Sequence, residues 1–200
     1  MFRLTMMISL TLAGLSLAGL SLAGVALGGT AMAADRPQAL PMRDVDIMYD
    51  VPTRAGMAPQ RLRFSALRQT MRIDPPGGGL YVVIDQLRGR MFTVRDADRS
   101  VIDMAAPRSW MPGITGGSFL PRGQDHIIGH PCTNWQTTDS ERRTIVMCVT
   151  EDGLMLRAAT VDGKPLLAAR SVHYASQDAS VFHVPADYRR LSPPPLSNAR

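Results

Sequence analysis

The chain has 200 residues, a formal net charge of +5 at pH 7 and two cysteines. Lys164 is the sole lysine, and no basic cluster is interleaved with aromatic side chains, which speaks against a nucleic-acid partner. A surplus of positive charge this small favours anionic lipid surfaces only weakly.

From Leu4 to Ala34 no residue is charged, and Arg3 stands just ahead of the apolar run. A positive start, an apolar core and the small-x-small triplet Ala31-Met32-Ala33 are the parts of a secretory signal peptide, placed at residues 1–33. The competing expectation is an uncleaved membrane anchor, because about 20 apolar residues suffice to span a bilayer. Membrane association is expected only in that case. Export together with two cysteines indicates an oxidising compartment, and the bacterial periplasm fits. The chain beyond the cut suits one domain with a real core.

Residues 34–43 read as a flexible leader, and a single antiparallel β domain is expected over 44–191. Val45, Ile47, Tyr49 and Val51 alternate with Asp44, Asp46, Met48 and Asp50, the period of a half-buried strand. Leu62 and Phe64 continue the period, but Leu67, Met71 and Ile73 take the opposite parity, so a bulge or tight turn is expected near Ala66. Pro75-Pro76-Gly77-Gly78-Gly79 breaks the chain. Short strands then follow at 80–85, 90–94 and 100–104. Residues 105–124 have no clean period yet carry Trp110, Met111, Ile114, Phe119 and Leu120. Long irregular segments inside compact domains often serve as lids or binding elements. Beyond Ile128, the turn signals Asp152-Gly153 and Asp162-Gly163 divide an antiparallel meander, with Ala158 beside Met147 and Leu156 beside Val149. SVFHV (180–184) suggests an edge strand, and 192–200 a disordered Pro-rich tail.

Both cysteines lie in Pro131–Thr150, which reads as a hairpin. A turn centred on Ser140 sets Cys132 opposite Cys148, Trp135 opposite Ile145 and Thr133 opposite Met147. Trp135, Ile145, Met147 and Val149 then share one face, and the cysteines fall together on the other, within reach of a disulfide. Two other readings use the same residues. His126 and His130 with both thiolates would make a closed zinc set, and a reactive thiol pair would be a redox site. An oxidised pair removes the first, and neither a Cys-x-x-Cys spacing nor a helix N-terminus supports the second.

The order of elements resembles a group of exported bacterial domains similar in fold to the lipoprotein carriers LolA and LolB. The resemblance rests on Gly129-x-x-Cys132-x-x-Trp135, the second cysteine strand, and the closing Val184-Pro185-Ala186-Asp187-Tyr188. It implies an open half-barrel with an acyl chain on its concave face. The helical cover of those carriers is not visible in this sequence.

The expectation is therefore an all-β protein: a curved antiparallel sheet or half-barrel with an irregular lid segment. Its expected function is non-catalytic binding of a lipid or acyl chain. The expected ligand contacts are Trp110, Met111, Ile114, Phe119 and Leu120 of the lid, with Trp135, Ile145, Met147 and Leu156 of the sheet. A structural or protein-interaction module of the envelope is the alternative, and metal binding a further one. No hydrolase, metalloprotease, phosphate-binding or dinucleotide signature occurs, so neither catalytic residues nor a cofactor are expected. Asp125-His126 permits only a generic triad drawing. Asp44, Asp46 and Asp50 resemble a calcium cluster less than a solvated strand face that pairs with Arg61, Arg63, Arg68 and Arg72. The scattered methionines suit core filling better than copper ligation.

Overall fold

The computed structural model describes residues 36–106, 118–139 and 142–192. Six strands come first in succession: β1 (Val45–Thr53), β2 (Gly56–Ser65), β3 (Thr70–Asp74), β4 (Leu80–Asp85), β5 (Arg90–Arg95) and β6 (Ser100–Ala105). After them come β7 (Leu120–Ile127), β8 (His130–Thr138), β9 (Thr144–Val149), β10 (Met155–Thr160), β11 (Pro165–His173) and β12 (Arg189–Leu191). They form one 12-stranded sheet in the order β12-β6-β5-β4-β3-β2-β1-β11-β10-β9-β8-β7. The sheet is curved and unclosed, and all its neighbours are antiparallel except β12, which runs parallel to β6. It consists of two up-and-down meanders, β1–β6 and β7–β11, joined where β1 pairs with β11.

The period-two patterns become one apolar face. Val45 pairs with Phe64, Phe64 with Met71, and Met71 with Ile84. Across the seam Tyr49 pairs with Ala169, and farther on Ala158 pairs with Met147 and Met147 with Trp135. These side chains belong to one buried cluster. Cross-strand neighbours on one face remove one another's surface from water, so each pair adds to the sheet's stability. The change of parity near Ala66 is a tight turn, closed by the Gln69 N–H donating to the Ala66 carbonyl at 3.3 Å.

The opposite face carries charge. Arg61 grips Asp46, Arg63 and Arg72 share Asp74, and Arg170 meets Asp50. Asp44 instead accepts backbone N–H groups from Ala66 and Gln177, at 2.7 and 2.9 Å. Over β4–β6 this face is apolar, and Tyr81, Val83, Val94 and Val101 form a second core with Phe182. Phe182 ends a 3-10 turn, Ala179–Phe182, where the sequence suggests a strand over 180–184. Asp178 caps that turn by accepting the Ser180 N–H at 2.7 Å, a local bond that competes with extension.

The cysteine hairpin keeps its predicted faces but not its predicted register. Trp135 faces Met147, Thr137 faces Ile145, and Asn134 rather than Cys132 faces Cys148. The turn is set by Asp139, whose N–H donates to the Arg143 carbonyl (3.0 Å) and whose Oδ1 accepts the Arg143 N–H (2.8 Å). That pairing moves the register by two residues, an even step that leaves every side chain on its face. The disulfide therefore runs diagonally, with S–S 2.07 Å and Cα–Cα 5.4 Å. In the next hairpin Ala158 faces Met147 as expected, but a bulge brings Met155 opposite Val149 in place of Leu156.

Candidate functional site

Residues 36–43, which composition assigns to a flexible leader, lie against the turn between β9 and β10. The Met42 N–H donates to the Asp152 carbonyl at 2.9 Å, and Arg43 Nε donates to Asp152 Oδ2 at 2.9 Å. The Arg43 guanidinium stacks 3.7 Å from the Tyr174 ring centre, and His130 meets that ring edge-on at 5.9 Å. Gly153 makes the approach possible: at φ +89°, a Cβ there would stand 2.6 Å from the Leu40 carbonyl oxygen. Thr150 Oγ and Tyr174 Oη complete the contacts of Asp152, at 2.5 and 3.2 Å.

A cleft of about 500 Å³ opens beside this strap, at the rim where β8 begins and β9 ends. Met42, Pro131 and the Cys132 half of the disulfide supply apolar lining, while Arg43, His130 and Gln124 supply polar groups. Burial alone would raise the Asp152 carboxyl, but hydrogen bonds from Thr150, Arg43 and Tyr174 together hold it below the ordinary carboxylate value. Burial, and then the charge of Asp152, push the Tyr174 phenol upward. The result is a fixed polar wall beside an apolar floor, suited to orienting an amphipathic molecule.

Of the ligand, metal and disulfide candidates singled out in the sequence, only Cys132 and His130 line this cleft. Trp135, Ile145, Met147 and Leu156 do come together, but as packed core, 7, 3, 0 and 0 % exposed. Phe119 packs against that core, and Leu120 is the exposed first residue of β7, so the irregular segment ends earlier than its composition suggests. Trp110, Met111 and Ile114 lie outside the described residues, as do the proposed signal peptide and residues 193–200 of the tail.

The zinc reading is overturned, because both sulfurs are consumed in the Cys132–Cys148 bond. Among the described residues no three His, Cys, Asp or Glu side chains are grouped to hold a metal ion. Asp125 accepts from Arg157 at 2.8 Å and from the His126 backbone N–H, not from the His126 ring, so the triad drawing has no geometric basis. Met42, Arg43 and Tyr174 went unnoticed in the sequence. The signal that could have found them is Asp152-Gly153, whose glycine admits a second segment as well as a turn.

No family model and no curated protein matches the chain. Solved structures do resemble it. One is an uncharacterized conserved protein from Thermus thermophilus, with TM-score 0.58 and 11% identity over 76% of this chain and 91% of that one. This likeness establishes a shared fold. Another is MucB, with TM-score 0.48 and 13% identity over 76% of this chain; the match spans 61% of MucB. Among the described residues no helix is long and apolar enough to cross a membrane.

Proposed function

We propose that this is an exported, non-catalytic binding protein of the bacterial envelope, taking a lipid or acyl chain at the rim of its half-barrel. The observation that carries the reading is the cleft between the 36–43 strap and β8, in which apolar lining meets Arg43 and His130. An acyl chain would lie along Met42, Pro131 and the disulfide, with its polar end toward the Arg43–Tyr174 stack. A periplasmic location and the carrier-like ligand belong to this proposal. The disulfide supports export, since such bonds persist in oxidising compartments.

One observation favours a second reading, an interaction module of the envelope. Trp135, Ile145, Met147 and Leu156 are already buried against protein, which fits a filled interior better than a hollow one. Titration of delipidated protein with a fluorescent fatty acid separates the readings. We expect saturable binding that weakens about tenfold or more in Met42→Asp. Binding lost in Trp110→Ala/Phe119→Ala but kept in Met42→Asp would move the site to the interior. If the wild type takes up no probe and native protein yields no lipid on extraction, the interaction module replaces the carrier.

A further inference from the structure

Leu67 and Leu87 are the most exposed large apolar side chains among the described residues, at 86% and 66%. Each stands on a hairpin tip, Leu67 between β2 and β3 and Leu87 between β4 and β5. The tips are neighbours, tied by the Gln86 N–H donating to the Gln69 carbonyl at 3.1 Å. Their sequences echo each other, Ala66-Leu67-Arg68-Gln69 and Gln86-Leu87-Arg88-Gly89. Both are closed turns: the Gln69 N–H reaches the Ala66 carbonyl and the Gly89 N–H the Gln86 carbonyl, each at 3.3 Å, and Asp85 Oδ1 accepts the Arg88 N–H at 2.9 Å. Tight turns ordinarily carry Gly, Asn, Asp, Ser or Pro. A solvated leucine at such a tip contributes nothing to the fold.

On the second tip the charge is sorted by depth. The Arg88 side chain is 81% exposed and its partner Asp85 only 11%. Arg68 is exposed as well, near Asp178, whose carboxylate also caps the 3-10 turn. Arg90, at the start of β5, is engaged by Asp103. Each exposed leucine thus has an exposed arginine beside it: Arg88, 81% exposed over Asp85, and Arg68, whose guanidinium lies 3.4 Å from Ser65 Oγ.

We propose that these paired tips are a contact site for an anionic lipid surface. The leucines enter the interfacial layer while Arg68 and Arg88 meet lipid phosphates, the division of labour of an interfacial anchor. A protein partner fits less well, because two side chains fall far short of the roughly 800 Å² per partner that a stable interface buries. A bilayer needs no complementary shape, only insertion and opposite charge. The contact is weak and reversible, since two residues insert.

The test is co-sedimentation of the purified full-length protein with vesicles of phosphatidylcholine, alone and mixed with phosphatidylglycerol. We expect sedimentation with the mixed vesicles, falling at least about tenfold in Leu67→Ser/Leu87→Ser. Partition coefficients from lipid titrations are compared, so that a contribution from residues 1–33 common to variant and wild type divides out. Arg68→Gln/Arg88→Gln should bind less and lose the sensitivity to added salt that wild type shows. A double-leucine variant that sediments as well as wild type overturns the proposal, and so does a wild type that stays in solution. Equal binding to neutral vesicles overturns the anionic part. Both leucines lie outside the core, so an unchanged thermal midpoint is expected. Should the double variant unfold, Leu67→Gln alone decides by the same readout. Fatty-acid uptake at the cleft reports separately, so the two proposals fail independently.

Discussion

At position 153 a hydrogen in place of a methyl group lets another segment pass. Gly153→Ala would place its Cβ 2.6 Å from the Leu40 oxygen, in a left-handed backbone at φ +89°. We expect a loss of about 2 kcal/mol, read as a thermal midpoint lower by roughly 6 °C, with earlier proteolytic cutting at residues 36–43. The neighbouring Asp152 makes the strap sensitive to acid. Desolvation acts to raise its carboxyl, but Thr150, Arg43 and Tyr174 together bring it below its ordinary value. A depressed carboxyl gives its full contribution above the unfolded value of about 3.9, and loses it as pH falls through the folded value. Asp152→Asn should therefore flatten the acid limb: urea midpoints at pH 7 and pH 3 should differ less in the variant than in wild type. In the order of residues only Asp152-Gly153 hints at this site. Leu40, Arg43 and Tyr174 meet Asp152 and Gly153 only through folding, and single-strand periodicity carries no information about such meetings.

At the scale of elements, period-two alternation marks β1 and the inner half of β2, where buried and wetter positions alternate, while β4, β5, β6 and β10 are legible as short runs between turn signals. The hairpin faces were legible from alternation too. Its register was not, since register depends on which residue closes the turn, and side-chain alternation carries no sign of the local bonds of Asp139 to Arg143. The irregular stretch before β7 ends sooner than composition suggests because Leu120 to Gln124 is an exposed edge segment with a bulge, Pro121 and Gly123, and so shows no alternation. Those features blunt an otherwise unpaired edge. The disulfide closes a separation of 16 residues. Cys132→Ala/Cys148→Ala should thus lower stability by about 3 kcal/mol in the chain-entropy account. Equilibrium urea unfolding measures it, and wild type in reductant should fall to the same midpoint. Because Asp139 sets the turn, amide protection along β8 and β9 should keep its pattern while losing magnitude.

For the whole molecule, the order of strands and the curvature explain each other. β6 and β7 are consecutive in sequence but stand ten places apart in the sheet, about 48 Å if it were flat. The connecting residues, 106–119, reach roughly 50 Å when fully extended. A flat sheet would need that connection stretched straight, whereas curvature brings its ends within easy reach. The same order leaves strand pairing between the two meanders only at β1 and β11. Tyr49 reinforces this seam from the buried face. It is wholly buried, pairs with Ala169 of β11, and sends its hydroxyl past β11 to the Met155 carbonyl of β10 at 2.7 Å. Burial also pushes its phenol far above the ordinary value, so it donates that bond throughout the physiological range. We expect wild-type amides of β2–β5 and β8–β10 to share one opening free energy in hydrogen exchange, as one cooperative unit does. Tyr49→Phe keeps the ring and should cost about 1–3 kcal/mol through the unpaired carbonyl, with the unit intact. Tyr49→Ala also leaves a cavity at the seam, adding to a loss of about 3–5 kcal/mol. In that variant the two groups of amides should open at different free energies. If they fall by the same amount and remain coincident, the continuous buried face couples the meanders without help from Tyr49.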